Sequence, residues 1–381
     1  MCQSQAQSVL CREGIGSFGA TLGNGITVHV GAAREGGLAK RACAAKLSWK
    51  QQELVVEANA SEIDLDAFGV DFGIGAPAAA FQLRESESDC CMEYLIYSLQ
   101  KPLRLFRAIT GGGFFSASDV DLDGRIEIWA TDANAVNGFE GLNLSEIDFP
   151  PVIVFRFEHD QLLDVSAEFR PYFEQEIAKI QEEISPRDLQ DFRNSDGKLA
   201  ETPTPANAER LHRLRAAKTM TLEIVWAYLY SGREEKAWRA LAKMWPPDDL
   251  ERVREKILKA RARGLHGEAD DTASGPLPKK KKQVRILELD KLSAAGSTSG
   301  IIPPRAIQLD LPPVAGGRPP NHMLLDLVID AAGKVRSAEP AEMAAYPRGW
   351  IETALAWKFI PAFRDGRPVA SRLRINVLPK R

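Results

Sequence analysis

Apolar and β-branched residues recur in short runs from residue 10 to about residue 130, at 26–30, 42–49, 53–57, 79–83, 92–99 and 103–109. Stretches such as Leu22-Gly23-Asn24-Gly25 separate them, which predicts strands joined by tight turns. Several short strands at this spacing indicate a sandwich or part of a propeller. A further strand is expected at 152–157, and residues 171–184 show helical apolar spacing with Glu and Lys on the opposite face.

The period then changes. Residues 207–263 are helical throughout, with Leu222, Val225, Trp226 and Leu229 on one face. Ser231-Gly232 breaks that helix, and Ala237, Leu241 and Met244 continue on a second. Pro246-Pro247-Asp248-Asp249 closes the second and caps a third carrying Leu250, Val253 and Ile257. The stretch from Trp226 to Trp238 resembles a single tetratricopeptide-type hairpin, but its period does not recur, so a packing spacer is expected. From 268 to 303 Gly, Ser, Pro and Lys dominate, including lysines 279–282, and predict a solvated linker.

Near the end strand periodicity returns. Leu325, Leu327 and Ile329 face one way while Asp326 and Asp330 face the other, and Asp330-Ala331-Ala332-Gly333 turns the chain into a second strand over 334–338. Pro347 precedes a helix in which Ile351, Ala354 and Leu355 share a face, with Pro361 expected to stop it. A last strand places Leu373, Ile375 and Val377 inward and Arg372, Arg374 and Asn376 outward. The expected fold class is therefore α+β multidomain. It comprises a β-rich region (1–150), a mixed strand–helix segment (151–200), a helical hairpin region (201–267), the linker (268–303) and a β-β-α-β domain (304–381) in which a helix lies on a three-stranded antiparallel sheet.

Composition narrows the function classes. The 381 residues are 44% hydrophobic and 27% charged with a net charge of -3, which argues against a dedicated nucleic-acid or anionic-membrane binder. No run approaches the roughly 18–20 apolar residues that span a bilayer. The first eight residues lack a positive flank and an apolar core, so as written they are no signal peptide. All five cysteines lie in the first quarter, which suits either a locally cross-linked domain in an oxidising compartment, with Cys11 and Cys43 as the candidate bridge, or buried free thiols. The histidines are scattered singly, and Gly14-Ile15-Gly16-Ser17-Phe18-Gly19 precedes a strand rather than a helix, so no catalytic constellation emerges and no enzyme is expected.

The chemical signal in the first half is Asp119-Val120-Asp121-Leu122-Asp123-Gly124-Arg125-Ile126-Glu127. Carboxylates at positions 1, 3, 5 and 9, glycine at 6 and the Arg125 carbonyl at 7 can wrap a hard cation. Ala130 at position 12 rules out an EF-hand. Loop followed by strand resembles the calcium loops of FG-GAP repeats over about twenty residues. That resemblance implies Asp119, Asp121, Asp123, Arg125 and Glu127 as a calcium set. The other reading is a polar hairpin turn whose carboxylates bind local N–H groups.

The C-terminal region resembles the C-terminal domain of the TonB family. The resemblance is carried by Val328-Ile329-Asp330, Gly333-Lys334-Val335, Ala354-x-x-Trp357-Lys358-Phe359-x-Pro361-Ala362 and Gly366-Arg367-Pro368-Val369, within about a fifth of the chain. It implies a periplasmic or secreted protein that binds an envelope protein or peptide. The expected mechanism is strand addition at a border formed by Arg372, Leu373, Arg374, Ile375, Asn376 and Val377. Arg372 and Arg374 either favour an acidic partner or protect the edge from aggregation. The rival expectations are a TonB-type energy transducer for outer-membrane transport whose membrane anchor is missing from the sequence as written, and a calcium-dependent envelope enzyme.

Overall fold

The computed structural model describes residues 9–33, 42–85, 91–158, 160–272, 286–289, 300–309, 323–341 and 348–377. The chain is mixed α+β and rich in strands. The first sheet has eight strands, seven of which follow one another in chain order from Phe18–Thr21 to Arg104–Gly112. Its spine is Gln52–Asp71, a 20-residue strand. The first half of this spine pairs with Cys43–Trp49 and the second half with Pro77–Glu85. Register shifts near Leu65 and Phe68 let it bend. The short strand Cys11–Arg12 joins the same spine opposite Ile63 and Glu62.

A second sheet runs Asp271–Thr272, Gln161–Asp164, Val152–Glu158, Glu127–Thr131, Phe114–Ser118. Its helices are inserted in the chain between Gln161–Asp164 and Asp271–Thr272. Arg170–Glu183, Ala208–Tyr230, Glu234–Met244 and Leu250–Arg263 pack on the sheet before the chain returns to pair beside Leu163 and Asp164. The faces expected from periodicity are the buried ones, including Leu222, Val225, Trp226, Leu229, Ala237, Leu241, Val253 and Ile257. One apolar core runs from Val70, Tyr94 and Ile96 of the first sheet through Ile128 and Phe155 to Trp226 and Trp245 of the helices. It therefore crosses the expected boundaries at 150 and 200 without a break. Among the described residues no helix is long and apolar enough to cross a membrane.

The C-terminal sheet has four strands, in the order Leu287–Glu288, Ser371–Val377, Met323–Ile329, Val335–Pro340. The hairpin, helix Arg348–Leu355 and last strand follow the expected sequence, and Met323 pairs with Val377 at one end and Ile329 with Ser371 at the other. Leu325, Leu327 and Ile329 meet Trp350, Ala354 and Trp357 in its core. Three details differ from expectation. A fourth strand comes from the segment expected to be linker. Asp271–Thr272 and Ile301–Ile302, from the same segment, also pair in sheets. The helix ends at Leu355 rather than at Pro361, because Lys358–Ile360 forms a strand with Arg305–Gln308. The expected lysine run at 279–282 and Pro347 lie outside the described residues.

Candidate functional site

The carboxylate loop is the connection of a β-hairpin, since Ser118 and Glu127 are paired across its base. Leu122 and Gly124 take left-handed backbone, φ 55° and 85°, which wraps the loop back on itself. This brings Asp119, Asp121 and Asp123 together, with one oxygen of each within 4.8 Å of the others. Such spacing is compatible with one calcium ion, whose oxygen ligands lie at about 2.3–2.6 Å. Glu127 is not in that group; it is fully buried on its strand and faces Arg156 at 3.7 Å. Arg125 turns its side chain back onto Asp123, at 2.7 Å. Asp119 accepts the N–H groups of Asp123 (2.9 Å) and Gly124 (3.0 Å). Both sequence readings thus have structural content here: local N–H bonds and convergent oxygens coexist. Burial, and then the carboxylate of Asp330, push the Asp119 carboxyl up to about 7, although the two N–H bonds oppose this.

Asp330 belongs to the C-terminal hairpin turn, and its position explains the motif. Its Oδ1 accepts the N–H groups of Ala332 and Lys334, both at 2.9 Å, which closes the turn. Gly333 has φ 86°, and a Cβ there would sit 1.8 Å from the carbonyl oxygen of Phe359. Its own carbonyl accepts the Phe359 N–H at 2.9 Å, locking the turn to the strand that leaves the helix. The other oxygen of Asp330 accepts the Asp119 N–H at 3.1 Å and the Arg336 Nε–H at 2.7 Å. Arg336 also donates to the hydroxyl of Ser118 at 2.6 Å. The turn of the C-terminal domain is therefore seated on the base of the carboxylate loop.

Two lysines complete the junction. Lys334 donates to the carboxylate of Asp66, and to its carbonyl at 2.9 Å. Lys358, almost wholly buried, donates to Asp64. Asp66 also accepts the Tyr94 hydroxyl (2.5 Å) and the Ala117 N–H (2.7 Å), so one carboxylate ties both sheets to the C-terminal domain. Burial, and then Asp66, hold the Tyr94 hydroxyl well above its ordinary value. Gln82 bridges Asp64 (3.1 Å) and the Phe115 N–H (3.2 Å). Charges so far from water persist only when paired and hydrogen-bonded. Ile307, Ile360 and Phe363 add an apolar contact with the other core of the first sheet.

The last strand, Ser371–Val377, is next to the border of its sheet. Beyond it, Leu287 pairs in parallel with Ser371, and Glu288 with Arg372. Arg372 stands 3.8 Å from Glu288, and Arg374 makes two bonds of 2.8 and 2.9 Å to Asp326 on the adjacent strand. That pairing, above all its hydrogen bonds, holds the Asp326 carboxyl below its ordinary value. The two arginines are engaged within the chain and do not stand as a bare basic edge. Leu373 and Ile375 are half-buried, Val377 is buried and Asn376 is exposed.

Cys11 and Cys43 form a disulfide, with sulfurs 2.01 Å apart. They flank the spine strand, opposite Ile63 and Ala60. The junction residues that sequence analysis did not single out as a site are Asp64, Asp66, Gln82, Tyr94, Lys334, Arg336 and Lys358. A signal was present: Ile63-Asp64-Leu65-Asp66-Ala67 alternates acids with apolar residues, and Lys358 stands between Trp357 and Phe359. Comparisons with family models, with curated proteins and with solved structures found no match.

Proposed function

We propose that this chain is a non-catalytic binding protein of the bacterial cell envelope, periplasmic or secreted, whose TonB-like C-terminal domain engages an envelope protein or peptide by strand addition. The observation that carries this reading is the order of the C-terminal sheet. The last strand lies next to the border, and the described residues add only the two-residue strand Leu287–Glu288 outside it. Unsatisfied strand borders pair with extended segments through backbone hydrogen bonds, and alternate side chains select the sequence.

The rest of the molecule acts as a rigid holder in this reading. Lys334, Arg336 and Lys358 fix the domain to the β-rich body, so the binding border is presented at a set angle. Asp119, Asp121 and Asp123 are the residues that would hold calcium, which would clamp the hairpin carrying Ser118 and relieve the repulsion between Asp119 and Asp330.

The test is photo-crosslinking in bacterial cells with the full chain carrying a crosslinking amino acid at Asn376, an exposed residue of the last strand. The expected result is a discrete crosslink to an envelope protein, lost when the last strand is interrupted by Ile375→Pro. Crosslinks only within the chain, or a reporter fusion that places the chain in the cytoplasm, would overturn the proposal.

A further inference from the structure

We infer that residues 286–289 are an internal occupant of the partner-binding border, so that binding exchanges one strand for another. The partner then carries an apolar–acidic–apolar triplet like Leu287-Glu288-Leu289. This rests on the strand-addition reading above.

The segment makes each kind of contact that an added strand makes. Its backbone pairs in parallel with the last strand, and the Leu287 N–H donates to the carbonyl of Ala370 at 2.9 Å. Leu287 and Leu289 are 4% and 8% exposed. They pack with Ala362 against Ile301, Val369 and Leu373. Those seats belong to the C-terminal domain and its flanking ribbon, so they would receive an incoming strand equally well. Glu288, half-exposed, lies 3.8 Å from Arg372. Backbone pairing, two apolar seats and one cation together define the chemistry of the ligand. Among the described residues the occupant contributes two paired residues to a seven-residue strand. A pairing of that length can exchange.

The probe is a labelled peptide, Val-Arg-Ile-Leu-Glu-Leu-Asp-Lys, copying residues 284–291. Its binding is followed by fluorescence anisotropy to the full chain and to the full-length variant Leu287→Ser/Leu289→Ser. A gentler variant, Glu288→Arg, guards against loss of fold, and circular dichroism monitors all three. The expected result is that the peptide binds the released variant at least tenfold more tightly than the unmodified chain, and that serines at both leucine positions of the peptide abolish binding. Glu288→Arg should fall between the two. Equal binding to all forms, or none to any folded form, would overturn the inference.

The crosslinking at Asn376 separates the two claims. An envelope partner that crosslinks equally to released and unmodified chains leaves strand addition standing and removes the internal occupant. Peptide exchange without any envelope partner retains the occupant and removes the proposed function.

Discussion

Replacing Lys358 by methionine removes one charge from the junction while keeping most of the side-chain volume. Lys358 is 3% exposed and Asp64 wholly buried, so neither can recover water without undocking the C-terminal domain. With the ammonium gone, the Asp64 oxygen that Lys358 contacted retains, among the described residues, only the amide of Gln82, at 3.1 Å. Breaking a buried pair in this way costs about 3–5 kcal/mol, a large fraction of the stability of an ordinary domain. Removing both charges, as Asp64→Asn/Lys358→Met, leaves no uncompensated ion and should restore all but about 1–2 kcal/mol. The assay is urea unfolding of the full chain and a double-mutant cycle between the two positions. A coupling of about 2 kcal/mol or more is expected. A single variant that loses less than about 1 kcal/mol, or a double variant that loses the sum of the singles, would show that water reaches the pair and that the domain is not locked by it.

Gly333→Ala puts a Cβ against the carbonyl of Phe359 on left-handed backbone, and should cost about 3 kcal/mol or more in urea melts; a neutral result would mean the turn is not seated there. Stability should also respond to pH. Burial, and for Asp119 also Asp330, raises Asp119 and Glu223 to about 7, above their unfolded values of about 3.9 and 4.3. Folding therefore takes up protons between about pH 4 and 7, and each group makes the fold less stable as pH rises through that window, by up to about 1.4 kcal/mol per unit. Burial alone would raise Glu140, but Arg252, Lys256 and Lys218 outweigh it and bring it down to about 2, so its contribution is present above about pH 4.3 and is lost as pH falls toward 2. Urea midpoints should thus peak at about pH 4, and Asp119→Asn or Glu223→Gln should flatten the decline toward neutrality; unchanged slopes would refute the assignment. Calcium at about one hundred times its dissociation constant should stabilise the chain by about 2.7 kcal/mol. Titration calorimetry should find this lost in Asp121→Asn/Asp123→Asn and kept in Glu127→Gln, and an absence of heat and of any midpoint shift would exclude the site.

The long helices and about half of the described strands were legible because their burial follows a simple period. Trp226 and Leu229, or Leu325 and Leu327, face the core as their spacing dictates. The second half of the spine strand escaped notice for a physical reason. Asp64 and Asp66 interrupt its apolar pattern, and a buried acid looks like a solvent-facing one until its partner is known. Those partners lie far along the chain, Lys334 and Lys358 being 268 and 294 residues away. The carboxylate loop was legible as three convergent acids, but Glu127 was not separable from them. Only the pairing of Val152–Glu158 with Glu127–Thr131 sets Arg156 opposite Glu127. The apolar faces of both sheets and of the helices are spent on one another in one core, which the period of each element alone does not reveal.

The same contrast between local and distant contacts bears on whether the border strand can exchange. Burying Leu287 and Leu289 contributes about 1.5–3 kcal/mol each, or about 3–6 together. Ordering the backbone of the four residues 286–289 opposes this by about 1–2 kcal/mol each, or about 4–8. The two sums nearly cancel, and the partly exposed Glu288–Arg372 pair adds at most about 1 kcal/mol. The internal strand is therefore held close to balance, whereas the junction of Asp64 and Lys358 is held by charges that cannot be left unpaired. A partner segment that is already extended before it arrives loses less conformational freedom than residues 286–289 do. It can then displace them with the same two apolar seats and the same arginine, while the domain that carries those seats stays fixed to the body.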